Sequence, residues 1–285
     1  MLTDLIRQRI ANLQRNAERA RTSRPNYQRQ RSVETRGQLP DGREVENELG
    51  RHWLIKQGLI ELWPNGIQAI DNWRRRIGES GETVESQRVS QEQISFQRHF
   101  PQATVLLDLE TCGLAGSMVF LVGLMHHGPS GLVLTQLLAR DYSEEPAVLA
   151  SLWEIMTTLR VLVTFNGKSF DWPMIRDRTT LHRLDRQFLT AERTRTTTPG
   201  LVHFDLLHHA RRFYSAKLPD CRLTTLERYV CGRRRIGDVP GSDVPAAYHE
   251  FVRTGETYRM TAILHHNAMD LVTLLELALR ITASA

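Results

Sequence analysis

From Ala103 onward the apolar positions fall into short blocks with two distinct periods. Val105–Glu110, Met118–Met125 and Gly131–Ala139 are strand-length apolar runs separated by brief polar or glycine-containing breaks, and together they predict a three-stranded antiparallel meander. Glu144–Leu159 then carries apolar residues at helical spacing, with Pro146 tolerated in its first turn. Val161–Phe165 is a short fully apolar strand, followed by Asn166-Gly-Lys-Ser and a helix through Arg178, and Leu201–Leu207 is a fifth strand. Several helices follow, the last over Tyr258–Thr282. A meander followed by strands separated by helices predicts an α/β fold with a mixed sheet.

The first third of the chain is patterned differently. Leu2, Leu5, Ile6, Ile10 and Leu13 recur at helical spacing among Arg7, Arg9, Arg15, Arg19 and Arg21, which predicts a basic helix over residues 1 to about 31. Between 32 and 98 the pattern is weak: Pro40-Asp-Gly42, Gly50, Gly58 and Pro64-Asn-Gly66 punctuate runs that suggest small strands and turns. Gly78–Arg88 is polar and reads as a linker. The expected division is a basic N-terminal extension over 1–98 and an α/β domain over 99–285.

Within the first core strand, Val105-Leu-Leu-Asp-Leu-Glu-Thr-Cys-Gly113, the alternation of faces puts Asp108 and Glu110 on one side and Leu107 and Leu109 on the other. Two like charges on one face of a buried strand call for a compensating cation, and a divalent metal is the leading candidate; the bland alternative is an edge strand with a wet face. Asp171 follows the fourth strand and a glycine turn, where open α/β sheets place functional groups, although it could merely complement a helix dipole. In His265-His-Asn-Ala-Met-Asp270, His266 and Asp270 are four residues apart and share a helical face, whereas His265 lies about 140° away by helical geometry.

Composition adds limits. With 285 residues, the chain has room for one large domain plus an extension. No apolar run approaches the roughly 18–20 residues needed to cross a bilayer, and the N-terminal residues lack the pattern of a secretory signal, so a cytoplasmic location is expected. Cys112, Cys221 and Cys231 are widely spaced and form no CxxC pair, so any metal should sit on oxygen ligands, which favours magnesium or manganese. The net charge of +5 comes from a basic set with only three lysines among 37 residues. Arginine suits phosphate and base recognition, and codon bias would enrich it equally well.

The ordered set of Asp108 and Glu110 on the first strand, Asp171 after the fourth, and Asp270 with a preceding histidine resembles the DEDD family of 3′→5′ exonucleases, which has the ribonuclease-H-like fold. Leu114–Gly123, His203-Phe-Asp-Leu-Leu-His208, Leu218–Glu227 and Gly237-Asp-Val-Pro-Gly241 are similar to the YprB-type ribonuclease-H-like proteins. The resemblance covers about 100 to 282. It implies a three-layer fold with a mixed five-stranded sheet flanked by helices. It also implies that Asp108, Glu110, Asp171 and Asp270 hold two Mg²⁺ or Mn²⁺ ions. The histidine near Asp270 would be the general base or would orient the water. His265 has the spacing of the histidine-type enzymes and His266 takes the place of the tyrosine in the tyrosine-type branch; helical phase ranks His266 first.

The implied substrate is single-stranded DNA or RNA and the implied reaction is phosphodiester hydrolysis from a 3′ end. The alternatives are a structure-selective endonuclease with the same metal site and an inactive nucleic-acid-binding module. A sugar-kinase-type site would place glycine where Glu110 stands. Thr111, Asn166, Lys168 and Phe170 are candidate substrate contacts, set against the blander roles of turn residue, surface lysine and packing aromatic. Arg233-Arg-Arg235 with Arg211-Arg212 is a candidate phosphate-guiding patch, set against a solvated charged face. Asp205 is read as structural.

Overall fold

Asp108 lies on an interior strand of a seven-stranded mixed sheet, whose strands stand in the spatial order Arg43–Asn47, Gly50–Gly58, Gly131–Leu138, Val119–Gly128, Thr104–Thr111, Val161–Thr164, Val202–Asp205. The coordinates are a computed structural model, and it describes residues 38–79, 89–113, 116–184, 201–235 and 239–283. The strands are β1 (Arg43–Asn47), β2 (Gly50–Gly58), β3 (Thr104–Thr111), β4 (Val119–Gly128), β5 (Gly131–Leu138), β6 (Val161–Thr164) and β7 (Val202–Asp205). The helices are α1 (Leu59–Leu62), α2 (Gly66–Glu79), α3 (Gln91–His99), α4 (Glu145–Met156) and α5 (Asp171–Leu181), then α6 (Leu206–Tyr214), α7 (Leu223–Tyr229), α8 (Val244–Thr254) and α9 (Tyr258–Ala283). The chain divides into two units, Met1–Thr35 and Arg36–Ala285, and every described residue belongs to the second. The expected basic helix over 1–31 lies outside the described residues, as does most of the expected linker over 78–88.

The expected meander forms: β3 pairs antiparallel with β4, and β4 with β5. β6 then adds in parallel to β3, and β7 in parallel to β6. The sheet has seven strands where five are expected, because β1 and β2 join it through antiparallel pairing of β2 with β5. Their signal is weak for a physical reason. β1 is an edge strand carrying Arg43, Glu44 and Glu46, and charge on an edge blunts unwanted pairing at the expense of apolar periodicity. The fifth expected strand, Leu201–Leu207, is shorter than its apolar run. Asp205 caps α6 by accepting from the Leu207 amide at 3.1 Å, so the chain turns helical at Leu206.

Helices cover both faces. On one, Val105 and Leu107 of β3 pack with Leu149, Leu152 and Trp153 of α4, and with Tyr248 of α8, whose ring stacks on Phe120 at 4.1 Å. On the other, Leu106, Val163 and Phe204 pack with Phe96 of α3 and with the long apolar stripe of α9 from Ala268 to Ile281. Each such leucine, removed fully from water, contributes about 2 kcal/mol. The alternation along β3 therefore aims Asp108 and Glu110, like Leu106, at the α9 side.

The fold also carries a pH-sensitive packing point. His203 Nε2 lies 2.8 Å from Thr164 Oγ1 between β7 and β6, and burial holds its pKa down from 6.5 to about 4. The folded state thus keeps His203 neutral. Its contribution is complete above pH 6.5 and is lost as the pH falls from 6.5 towards 4. In urea unfolding, His203→Gln is expected to show a smaller loss of stability across that window than the wild type; coincident pH slopes would contradict this.

Candidate metal centre

The centre forms where β3, the β6–α5 turn and α9 meet. Asp108 is registered opposite Gly123 of β4, and Asn267 of α9 lies directly over that glycine. Asn267 is fully buried and donates its Nδ2 hydrogen to Asp108 Oδ2 at 2.8 Å, while its Oδ1 accepts from Gln136 Nε2 at 2.8 Å. Gln136 also donates to the Leu264 carbonyl at 2.8 Å, which ties β5 to α9. A side chain at 123 would end this arrangement, since a Cβ there would lie 2.1 Å from Asn267 Oδ1. Gly123→Ala is expected to cost about 1–3 kcal/mol through overpacking and to lower catalysis by moving Asn267 off Asp108. Urea unfolding checks the first effect; an unchanged midpoint would show that Asn267 can shift freely.

Asp171 is the first residue of α5, and two features fix its position. Asp205, almost fully buried, accepts from the amides of Asn166 at 2.8 Å and Lys168 at 3.0 Å, so it shapes the β6–α5 turn. Asn166 takes a left-handed conformation there with φ 63°, one that asparagine tolerates better than most residues. Farther along α5, Arg178 donates through Nε to Glu145 of α4 at 2.8 Å, and His182 Nε2 lies 2.8 Å from the same carboxylate. The reading of Asp205 as structural agrees with these contacts.

Electrostatics tie Asp108 to the other three acids. Asp108 keeps some exposed surface, yet it is enclosed enough that lost hydration pushes its pKa well above the carboxylate range. The charges of Asp270, Glu110 and Asp171 push the same way, against the Asn267 hydrogen bond. Asp171 is raised to about 7, chiefly by burial and further by Asp205, with backbone amides including that of Leu109 opposing. Four hard oxygen donors in mutual repulsion are a donor set for Mg²⁺ or Mn²⁺. By their chemistry these residues suit such ions; among the described residues no group of three or more His, Cys, Asp or Glu side chains is placed to hold one.

At α9, Asp270 is buried and both of its oxygens are engaged. Oδ1 accepts from Arg235 Nη2, and Oδ2 lies 3.2 Å from His266 Nε2. Arg235 also places Nη1 3.1 Å from His266 Nδ1 and donates through Nε to Glu227 of α7 at 2.7 Å. Arginine has no acceptor, so His266 Nδ1 must carry the lone pair and Nε2 the hydrogen. His265 is exposed on the other side of the helix.

The remaining candidates lie as follows. Thr111 Oγ1 donates to the Gly113 carbonyl at 2.7 Å and so shapes the turn after β3. A cleft of about 320 Å³ opens beside it, walled by Leu109, Glu110, Thr111, Ser242 and Val244. Phe170 is 64% exposed at the start of α5, whereas Trp172 is buried against Trp153. Lys168 Nζ lies 3.5 Å from Glu92 of α3. The proposed phosphate-guiding patch is divided. Arg211, Arg212 and Arg234 are exposed. Arg233, by contrast, turns inward to Glu276 and Thr273, and Arg235 to Glu227 and Asp270, because buried carboxylates require cations.

Sequence reasoning missed Asn267, Glu227 and the inward role of Arg235. A glycine in the middle of the apolar run Phe120-Leu-Val-Gly-Leu-Met was a usable signal of close approach by another element. Nothing in the local pattern distinguishes an inward arginine from an outward one.

Comparison with known proteins supplies the relationship. The chain is 38% identical over 174 residues to the uncharacterized protein YprB of Bacillus subtilis (strain 168), a match that covers 60% of this chain and 40% of that protein's length. A structure of the family B DNA polymerase from the hyperthermophilic archaeon Pyrobaculum calidifontis aligns with a TM-score of 0.49 at 16% identity, over 62% of this chain and 24% of the polymerase. No helix among the described residues is long and apolar enough to cross a membrane. The RNase_H_2 family model, described as RNase_H superfamily, matches residues 105–282, which include all four acids and more than half of the chain. The fold is ribonuclease-H-like, and the chain belongs to the RNase_H superfamily.

Proposed function

We propose that this protein is a metal-dependent 3′→5′ exonuclease that hydrolyses phosphodiester bonds of single-stranded DNA or RNA, with residues 99–285 carrying the chemistry. The observation that carries it is the convergence of Asp108, Glu110, Asp171 and Asp270, close enough that Asp108 feels the charge of the other three. In this reading these acids hold two Mg²⁺ or Mn²⁺ ions. When bound, such a pair stabilises charge on the attacking and leaving oxygens of an in-line displacement. His266 receives the proton of the attacking water at Nδ1, the nitrogen that bears the lone pair, while Nε2–H on Asp270 keeps the ring oriented. The cleft beside Glu110 has room for the terminal nucleoside, with Thr111 at its wall. Exposed Phe170 is available to stack on a base, and Asn166 and Lys168 lie on the same turn to meet phosphate.

The test is a time course with 5′-labelled and 3′-labelled single strands of matched DNA and RNA, with Mn²⁺ or Mg²⁺ and with EDTA. Progressive laddering of the 5′-labelled strand and release of labelled mononucleotide from the other are expected. One internal product would replace the exonuclease by an endonuclease. Binding without cleavage under either metal would leave a nucleic-acid-binding module.

A further inference from the structure

We propose that Arg235 is a resident cation of the metal centre, a latch that neutralises Asp270 and covers the lone pair of His266 until a divalent ion displaces it. The proposal rests on the metal-site reading above and adds a residue to it. One guanidinium reaches both groups that the reaction needs: Nη2 donates to Asp270 Oδ1, and Nη1 lies 3.1 Å from His266 Nδ1. A further contact, from Nε to Glu227 Oε2 at 2.7 Å, is to a carboxylate outside the group of four acids. Glu227 is itself buried, and its second oxygen lies 3.7 Å from Arg233 Nε. The Glu227 bond can therefore hold Arg235 close by when it leaves Asp270, so the movement needed is short.

Two physical facts favour displacement over shared occupancy. Each oxygen of Asp270 already holds a donor, Arg235 on one and His266 on the other, so an ion at Oδ1 would have to share that oxygen with the Arg235 guanidinium. A guanidinium and a divalent ion on the same carboxylate also repel each other at short range, where little water screens them. With the latch withdrawn, Asp270 Oδ1 and His266 Nδ1 become available together. Metal uptake would thereby be coupled to exposure of the base.

The experiment measures Mn²⁺ binding to the full chain by electron paramagnetic resonance of free Mn²⁺, with thermal unfolding alongside. Arg235→Gln removes the charge and keeps hydrogen-bonding capacity; Arg235→Lys keeps the charge. Arg235→Gln is expected to bind Mn²⁺ about 10-fold more tightly, with Arg235→Lys close to wild type. Its metal-free Tm should fall while the Mn²⁺-loaded Tm stays near wild type, which widens the metal-induced rise by about 3 °C. Equal or weaker Mn²⁺ binding by Arg235→Gln, or an equal fall in both Tm values, would make Arg235 a structural strut and overturn the latch.

Should that variant not fold, nitrogen-15 NMR of the wild-type arginine side chains tests the same point. The Arg235 Nε–H signal, assigned by its loss in Arg235→Lys, should shift on saturation with Mg²⁺, and an unmoved signal overturns the latch. If wild type binds no Mn²⁺, or binds it equally well as Asp108→Asn, the metal-site reading itself fails and takes the latch with it. Intact Mn²⁺ binding with no effect of Arg235 removes the latch alone.

Discussion

Asp108→Asn is expected to reduce metal-dependent hydrolysis by at least about 10³-fold while raising the Tm of the metal-free chain. The two effects have one cause. Asp108 loses hydration on folding and faces the charges of Asp270, Glu110 and Asp171, so its ionised form is disfavoured in the fold. An asparagine of the same shape removes that repulsion, and it can still accept from Asn267, which donates to Asp108 Oδ2 at 2.8 Å in the native chain. The same charge that destabilises the metal-free fold is what would suit Asp108 to a divalent ion in the proposed centre. Asp270→Asn should be equally inactive but should lower the Tm, since it takes from the Arg235 guanidinium one of the two carboxylates that hold it in a buried setting, a loss of about 2 kcal/mol. Opposite signs of the two Tm shifts would separate an acid that lacks a cation from one that has one. Full activity in either variant would remove the two-metal mechanism.

The second large effect is expected at Asp205, outside the group of four. Its carboxylate accepts from three backbone amides, those of Asn166, Lys168 and Leu207, and it is almost completely buried. Asp205→Ala leaves amides of the β6–α5 turn without an acceptor and removes the cap of α6, for a combined loss of about 3–5 kcal/mol. Asp171 begins the helix that follows this turn, so activity should fall further than the loss of folded protein explains. Asp205→Asn keeps one acceptor oxygen and should recover part of the stability. Urea unfolding together with rates measured well below the transition checks both points. A loss under about 1 kcal/mol would mean that the turn holds its shape without the carboxylate.

Much of this was legible because it is local. The period-two alternation of Val105–Thr111 placed Asp108 and Glu110 on one face, and the sheet aims that face at α9. The four-residue spacing of His266 and Asp270 placed them side by side, and their 3.2 Å contact follows from the helix alone. The arginines could not be read in this way. Arg233, Arg234 and Arg235 are adjacent and chemically identical, yet Arg234 is exposed while its neighbours turn in to Glu276, Glu227 and Asp270. Strands β1 and β2 were recognisable only as short runs, since their place in the sheet comes from β2 pairing with β5, about 80 residues away in the chain, and not from their own pattern.

By itself the amino-acid sequence determined the kind of elements, the face on which each acid stands, and the chemistry those acids offer, because backbone periodicity and side-chain type are properties of a few neighbouring residues. Only the tertiary structure decided which charges meet. The approach of Asn267 to Asp108 over Gly123, the shaping of the Asp171 turn by Asp205 and the placement of Arg235 on Asp270 each join residues far apart in the chain. In a buried setting, where an unpaired charge is far too costly to persist, the partner is selected by the packing of whole elements and leaves no mark on the local sequence.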